Sequence, residues 1–147
     1  MRYLTKDWFM RMQTYPMPEE LKKKLNGIAA SYQEAQNKEL LSDVLRRDFM
    51  FHDGEVLEIT AGADYIVHIK SPFSSYHKIT FREASVKQEI PPVGAVWLYQ
   101  ELYRHKSGNG YEAHILFYKR SKPEHKKILT SDLFDMKIIC KDILLEQ

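Results

Sequence analysis

The chain of 147 residues is 44% hydrophobic, 29% charged and 12% aromatic, and its 22 Lys and Arg against 20 Asp and Glu leave a formal net charge of +2. That is one domain's worth of sequence, long enough to bury about 69% of its unfolded surface, and too apolar and too weakly charged to stay disordered. The near-neutral balance does not advertise a nucleic-acid or anionic-membrane partner, and the single cysteine, Cys140, excludes an internal disulfide and any zinc site built from several cysteines.

One thiol suits a reducing compartment. Met1-Arg2-Tyr3-Leu4-Thr5-Lys6-Asp7 carries charge where a signal peptide needs an apolar stretch. The longest apolar run, Ala95 to Tyr99, is far shorter than the roughly 18 residues of a membrane helix. The expectation is a soluble cytoplasmic protein with no membrane association.

The first third has a helical period. Thr5 caps a short helix running towards Gln13, with Trp8, Phe9 and Met12 as its apolar stripe. Pro16 and Pro18 stop it, and Pro18-Glu19-Glu20 opens a second helix with acids in its first turn. Leu21, Leu25, Ile28, Tyr32 and Ala35 then recur at spacings of four and three, a narrow stripe. Gly27 inside it costs about 1 kcal/mol relative to Ala. Asn37 marks a break, after which Leu41, Val44 and Leu45 continue the apolar face towards Asp48.

From Phe49 the period changes to that of strands. Phe51 to Thr60 is a first strand around a turn-like His52-Asp53-Gly54, and Ala61 to Asp64 is a hairpin loop. Tyr65 to Ile69 alternates as a second strand, and Ser71-Pro72-Phe73-Ser74-Ser75 is a loop. Ile79 and Phe81 belong to a third strand ending before Pro91-Pro92. Trp97 to His105 and Tyr111 to Tyr118 form the clearest hairpin, Lys119 to Lys127 a basic loop, and Phe134, Met136, Ile138 and Cys140 a last strand. Helices followed by strands predict an α+β fold in one domain over 1–147. Its N-terminal helices (1–48) pack on a curved, mostly antiparallel sheet of about six strands (49–147).

Several blocks, in order, carry a resemblance. They are Met1-Arg2-Tyr3-Leu4-Thr5-Lys6-Asp7-Trp8, Phe51-His52-Asp53-Gly54-Glu55-Val56, Ile79-Thr80-Phe81, Trp97-Leu98-Tyr99-Gln100-Glu101-Leu102-Tyr103, Tyr111-Glu112-Ala113-His114 and Lys137-Ile138-Ile139-Cys140-Lys141-Asp142-Ile143. The chain resembles an uncharacterised bacterial family known only as a domain of unknown function. Its sheet half is similar to domains of bacterial immunity-type proteins, which carry a comparable His-Asp before the first strand. The resemblance implies an immunity- or antitoxin-like role and brings no catalytic residues.

The chemistry-bearing residues do not assemble a known catalytic set. His52-Asp53 invites comparison with His-Asp metal phosphohydrolases, but the pair precedes a strand and no helix supplies a second histidine. A turn tied down by a local side-chain-to-backbone hydrogen bond is the preferred reading. Asp53 and Glu55 share a face if the strand has already begun, and ordinary surface charge explains them. His52, His68, His77, His105, His114 and His125 form no chelating pair at short spacing, leaving only a site assembled in space.

There is no Gly-x-Ser-x-Gly elbow, Cys140 alternates with apolar residues as a buried, inert thiol would, and Ser107-Gly108-Asn109-Gly110 lacks the Gly-Lys-Ser/Thr of a phosphate loop. Lys119, Arg120, Lys122, Lys126 and Lys127 with His125 form the strongest basic cluster, preferred here as a solvated loop over a nucleic-acid contact.

The hairpin carries the sharpest hypothesis. With His105 opposite Tyr111, Arg104 faces Glu112 as a cross-strand charge pair. Trp97, Tyr99, Tyr103 and Tyr111 then share one face with Ile115 and Phe117, and Val96, Leu98, Leu102, Leu116 and Tyr118 share the other. A one-residue slip exchanges the partner strand's faces. Both faces are apolar, so helices cover one, and sheet curvature, loops, a protein partner, a homodimer seam or a ligand covers the other. The leading expectation is a non-enzymatic protein-binding module that uses Trp97, Tyr99, Tyr103, Tyr111, His52 and Asp53. It needs no cofactor or metal, and alanine at Trp97 and Tyr103 would weaken binding while leaving the fold intact. Small-ligand binding is the alternative, and a metal-dependent hydrolase the weaker third.

Overall fold

The computed structural model describes residues 1–121, 124 and 127–147. Among them three α-helices, α1 (Lys6–Met12), α2 (Glu19–Lys38) and α3 (Asp43–Asp48), precede eight strands. The strands are β1 (Gly54–Ala61), β2 (Tyr65–Lys70), β3 (Lys78–Arg82), β4 (Ser85–Gln88), β5 (Val96–Arg104), β6 (Tyr111–Tyr118), β7 (Leu133–Cys140) and β8 (Asp142–Glu146). α1 and α3 start where hydroxyls can satisfy free N–H groups: Thr5 Oγ accepts from Trp8 N at 3.1 Å, and Ser42 Oγ from Leu45 N at 3.2 Å, whereas α2 follows Pro18 without a side-chain cap. Within α2 only Leu25 is buried, while Leu21, Ile28, Tyr32 and Ala35 are half-buried.

The fold is α+β with an antiparallel sheet in the order β4-β7-β6-β5-β1-β2-β3-β8. The expected six or so strands are corrected to eight. The third expected strand is interrupted at Glu83, whose φ of 48° lies in the left-handed region. Asp64 Oδ1 holds that residue by accepting its N–H at 2.9 Å. The last expected strand resumes after Lys141 as β8.

These interruptions do not end the pairing. The segments 78–88 and 136–146 keep one register, from Lys78 opposite Glu146 to Gln88 opposite Met136. Lys141 N–H donates to Arg82 O across the break at 2.9 Å. β3 also pairs with β2, and β7 with β6. Since β4 continues β3 and β8 continues β7, the two ends of the strand order meet and the sheet closes as a barrel, which removes most of its free edges.

Closure explains how an apolar sheet can be apolar on both faces. Alternate residues such as Val56, Ile69, Phe81, Trp97, Phe117 and Met136 form one buried cluster, joined by Phe49 and Phe51 from the segment before β1. Leu98, Leu116 and Leu133 point the other way, into a second cluster with Leu4, Trp8, Phe9 and Leu25. Trp8 Nε1 donates to Leu25 O at 3.1 Å and ties α1 to α2.

The β5–β6 register differs from expectation. Trp97 lies opposite Phe117 but Tyr99 opposite Leu116, so Leu98 is an extra residue, a bulge, and Arg104 faces Tyr111. The bulge exchanges faces partway along β5. Trp97 and Tyr111 belong to the first cluster, Tyr99 packs against the second, and the single face expected for Trp97, Tyr99, Tyr103 and Tyr111 is corrected accordingly. The expected Arg104–Glu112 pair gives way to Arg104 over the Tyr111 ring at 4.9 Å.

Gly110 lets the β5–β6 turn meet the β7–β8 junction. Its φ is +80°, and a Cβ there would lie 2.1 Å from Cys140 O. Gly110→Ala is expected to cost upward of about 2 kcal/mol, read as a fall in Tm of at least about 4 °C. Gly108→Ala is the control: it has a φ of +82° but nothing within 4 Å of a new Cβ. Equal losses in the two variants would refute the close-approach argument.

Candidate functional site

The structure brings three of the six candidate residues together and buries the other three. His52 and Asp53 lie in the turn entering β1. Asp53 has a φ of 60° and donates its N–H to Trp97 O at 2.9 Å. It therefore precedes the strand, and the expected strand alternation with Glu55 does not apply. Gly54 follows because a Cβ would sit 2.7 Å from both Phe51 O and Ile69 Cδ1.

The bulge at Leu98 supplies the next element. His52 Nδ1 lies 2.5 Å from Leu98 O. A carbonyl only accepts, so Nδ1 carries the proton and Nε2 is left on the outer side, 3.6 Å from Asp53 Oδ1. The hydrogen bond expected to be local thus reaches across to β5.

The His52 ring makes tilted contacts with two others, Tyr99 at 5.4 Å and Phe73 at 6.1 Å, with interplanar angles of 37° and 31°, and the three rings form one short aromatic chain, called the stack below. Tyr99 roots this stack in the fold through edge contacts with Trp8 and Phe9. Burial, and then the Asp53 charge, push its phenol above the usual value, so it stays a neutral hydroxyl. Phe73 is at the outer end, 61% exposed. Ser71 positions it, with its Oγ donating to His52 O at 3.3 Å and accepting from Phe73 N at 3.2 Å. Phe73 was overlooked in sequence, where it stands as a lone aromatic in a Ser-rich loop.

Trp97, Tyr103 and Tyr111 offer no surface: they are 0%, 2% and 8% exposed. Trp97 packs against Phe49, Phe51 and Phe117 at 5.2–5.6 Å. Tyr103 belongs to a polar cluster that sequence reasoning missed altogether. Its hydroxyl donates to Glu101 at 2.7 Å, its ring faces His114, and the Arg2 guanidinium sits 3.8 Å over it. Glu101, although fully buried, also accepts the backbone N–H groups of Arg2, Tyr3 and Leu4 at 2.8, 3.0 and 2.8 Å. Nearby, His114 Nε2 lies 2.8 Å from Glu112 Oε1, and Lys137 Nζ lies 3.2 Å from the same oxygen. Burial holds the His114 imidazole below its usual value, against the opposing pull of Glu112. The cluster serves to hold residues 2–4 against the barrel.

No group of three or more His, Cys, Asp and Glu side chains placed to hold a metal ion occurs among the described residues. Cys140 is buried, and burial pushes its thiol up to about 12. In the basic loop, Lys122, His125 and Lys126 lie outside the described residues, Lys119 Nζ donates to Val93 O, and Arg120 Nε donates to the Tyr118 hydroxyl. No helix of the described residues is long and apolar enough to cross a membrane. No protein-family model, curated protein or solved structure matches this chain.

Proposed function

We propose that the chain is a non-enzymatic, cytoplasmic protein-binding module whose partner presents a basic segment to the Phe73–His52–Tyr99 stack. The observation that supports this reading is the outer end of the stack: an aromatic ring 61% exposed, propped by a buried serine, with an exposed carboxylate on the neighbouring turn. An isolated exposed ring is unremarkable. A ring braced by its contact with His52 and by a loop that Ser71 ties down loses little freedom on binding, and an aromatic face beside a carboxylate suits an Arg or Lys side chain. Glu55 adds a further exposed carboxylate at the start of β1. An immunity-type role is one form of this reading, and the sequence resemblance is its support.

The test uses random displayed peptides selected on the intact protein. Enriched peptides are expected to carry Arg or Lys. Phe73→Ala is expected to weaken them about 3- to 30-fold, the range of a cation–aromatic contact. Asp53→Asn, which suits the left-handed backbone at that position, is expected to weaken them as well. Peptides without basic residues, or binding that survives both substitutions, would overturn the proposal.

A further inference from the structure

β1 pairs with β5 only at Gly54–Trp97 and Glu55–Val96, so from Leu98 to Arg104 one edge of β5 has no neighbouring strand among the described residues. Side chains hold the main-chain groups of that edge instead. His52 Nδ1 donates to Leu98 O at 2.5 Å. The Tyr32 hydroxyl donates to Gln100 O at 2.7 Å, Gln36 Oε1 accepts the Leu102 N–H at 2.9 Å, and Glu39 Oε2 accepts the Arg104 N–H at 3.0 Å. Burial, and then the Glu101 charge, push the Tyr32 phenol up to about 12, which keeps it a neutral donor.

Tyr32, Gln36 and Glu39 are four and three residues apart, the spacing of one helix face. From Tyr32 to Glu39 a helix rises about 10 Å, and from Gln100 to Arg104 a strand spans about 13 Å. One face of α2 therefore follows the edge and stands where a strand would.

This cover is lightly held. From Gly27 to Glu39 no residue is buried, and Ile28, Ala29 and Tyr32 pack only partly against the second cluster. The anchors lie outside it: Leu25 on one side, 1% exposed and tied to Trp8 through its carbonyl, and the buried Leu45 on the other. The bonds from Arg46 to the carbonyls of Gln36, Asn37 and Glu39 are exposed to solvent. Water can replace polar bonds such as these and those to the β5 edge. Gln36 Nε2 is buried and donates to no atom of the described residues, a cost that ends when the segment lifts into water.

Gly27 lies just past the Leu25 anchor. It is inside α2, and a Cβ there would meet nothing within 4 Å. Neither packing nor a left-handed angle calls for glycine, and what glycine supplies at that point is a weak place in the helix.

We propose that the segment from Gly27 to Glu39 is a lid, which opens as one unit while Leu25 and the barrel stay folded and uncovers the β5 edge from Gln100 to Arg104. Proteins keep such edges covered, and local opening is drawn from the least buried elements. The inference is independent of the recognition surface, whose His52 holds Leu98 O from the turn before β1.

Hydrogen exchange of the intact protein, followed by ¹H–¹⁵N NMR, tests the lid. The amides of residues 31–38 and of Leu102 are expected to be protected alike, at least about 100-fold less than those of Glu101 and Tyr103, which pair with His114 and Glu112 on β6. Gly27→Ala is expected to slow exchange of the group about fivefold, the factor by which alanine favours a helix over glycine. Tyr32→Phe, which removes the bond to Gln100 O, is expected to speed it about two- to tenfold. The proposal is overturned if residues 31–38 are protected as strongly as Tyr103, or if Leu102 is protected to a different degree from them. It is equally overturned if either variant leaves exchange of the group unchanged.

Discussion

Glu101→Ala is expected to destabilise the protein by about 3–5 kcal/mol, a large share of the 5–15 kcal/mol that holds a typical domain folded. The carboxylate is fully buried on β5 and accepts four hydrogen bonds, three from the backbone of residues 2–4 and one from the Tyr103 hydroxyl. Alanine leaves all four donors without a partner. Each unpaired donor costs about 1–3 kcal/mol while it stays buried. The sum is not reached, because residues 2–4 can peel away and recover water. Peeling has its own cost, since it draws Leu4 out of the cluster with Leu98 and Leu116.

Glu101→Gln keeps the shape but replaces one acceptor with a donor that faces other donors, and about 2 kcal/mol is expected. Urea unfolding followed by tryptophan fluorescence measures both losses. Hydrogen exchange at residues 2–4 separates local peeling from global destabilisation. A loss below about 1 kcal/mol for the alanine variant would mean that the clamp contributes little.

Trp97→Ala is expected to cost about 3–5 kcal/mol, the reverse of the outcome expected from sequence, in which this side chain belonged to a binding face. Trp97 is completely buried and touches Phe49, Phe51 and Phe117. Its Nε1 donates to Gln100 Oε1 at 2.8 Å. Truncation opens a cavity between the barrel and the segment that plugs it, and leaves the Gln100 oxygen without that donor. Phe73→Ala is the contrast: at an exposed site it is expected to change stability by no more than about 0.5 kcal/mol. Thermal and urea denaturation of the two variants side by side check the assignment. Similar stabilities would mean that Trp97 is not the core residue its contacts indicate.

The aromatic hairpin shows where sequence reasoning reached its limit. The strand pair β5–β6 and its turn were legible, because alternation and a Gly-Asn-Gly turn are local signals. The register was not. One extra residue at Leu98 moves Tyr99 and Tyr103 to the face opposite Trp97 and Tyr111, and a bulge has no reliable mark in a single sequence. The candidate site divided along that line. Tyr99 met His52 because the bulged Leu98 carbonyl accepts from the imidazole, whereas Trp97 and Tyr111 went into the barrel.

Glu101 was invisible for a related reason. In sequence it is a charged residue among apolar ones, and three of its four partners, the N–H groups of Arg2, Tyr3 and Leu4, stand 97 to 99 positions away. Phe73 looked like a loop residue because nothing local reveals that Ser71 and His52 hold it up.

By itself the sequence determined the α+β class, the cap at Thr5, most of the strands and a chain apolar on both faces of its central hairpin. These follow from side-chain periodicity and from hydrogen bonds made within a few residues. Only the tertiary structure decided how those two faces are covered. The left-handed Glu83 and the short joint at Lys141 let two strands run on, so the sheet closes, one face lines the barrel and part of the other lies beneath α1, α2 and residues 1–4. Closure depends on pairing between segments some sixty residues apart, and no local preference encodes it.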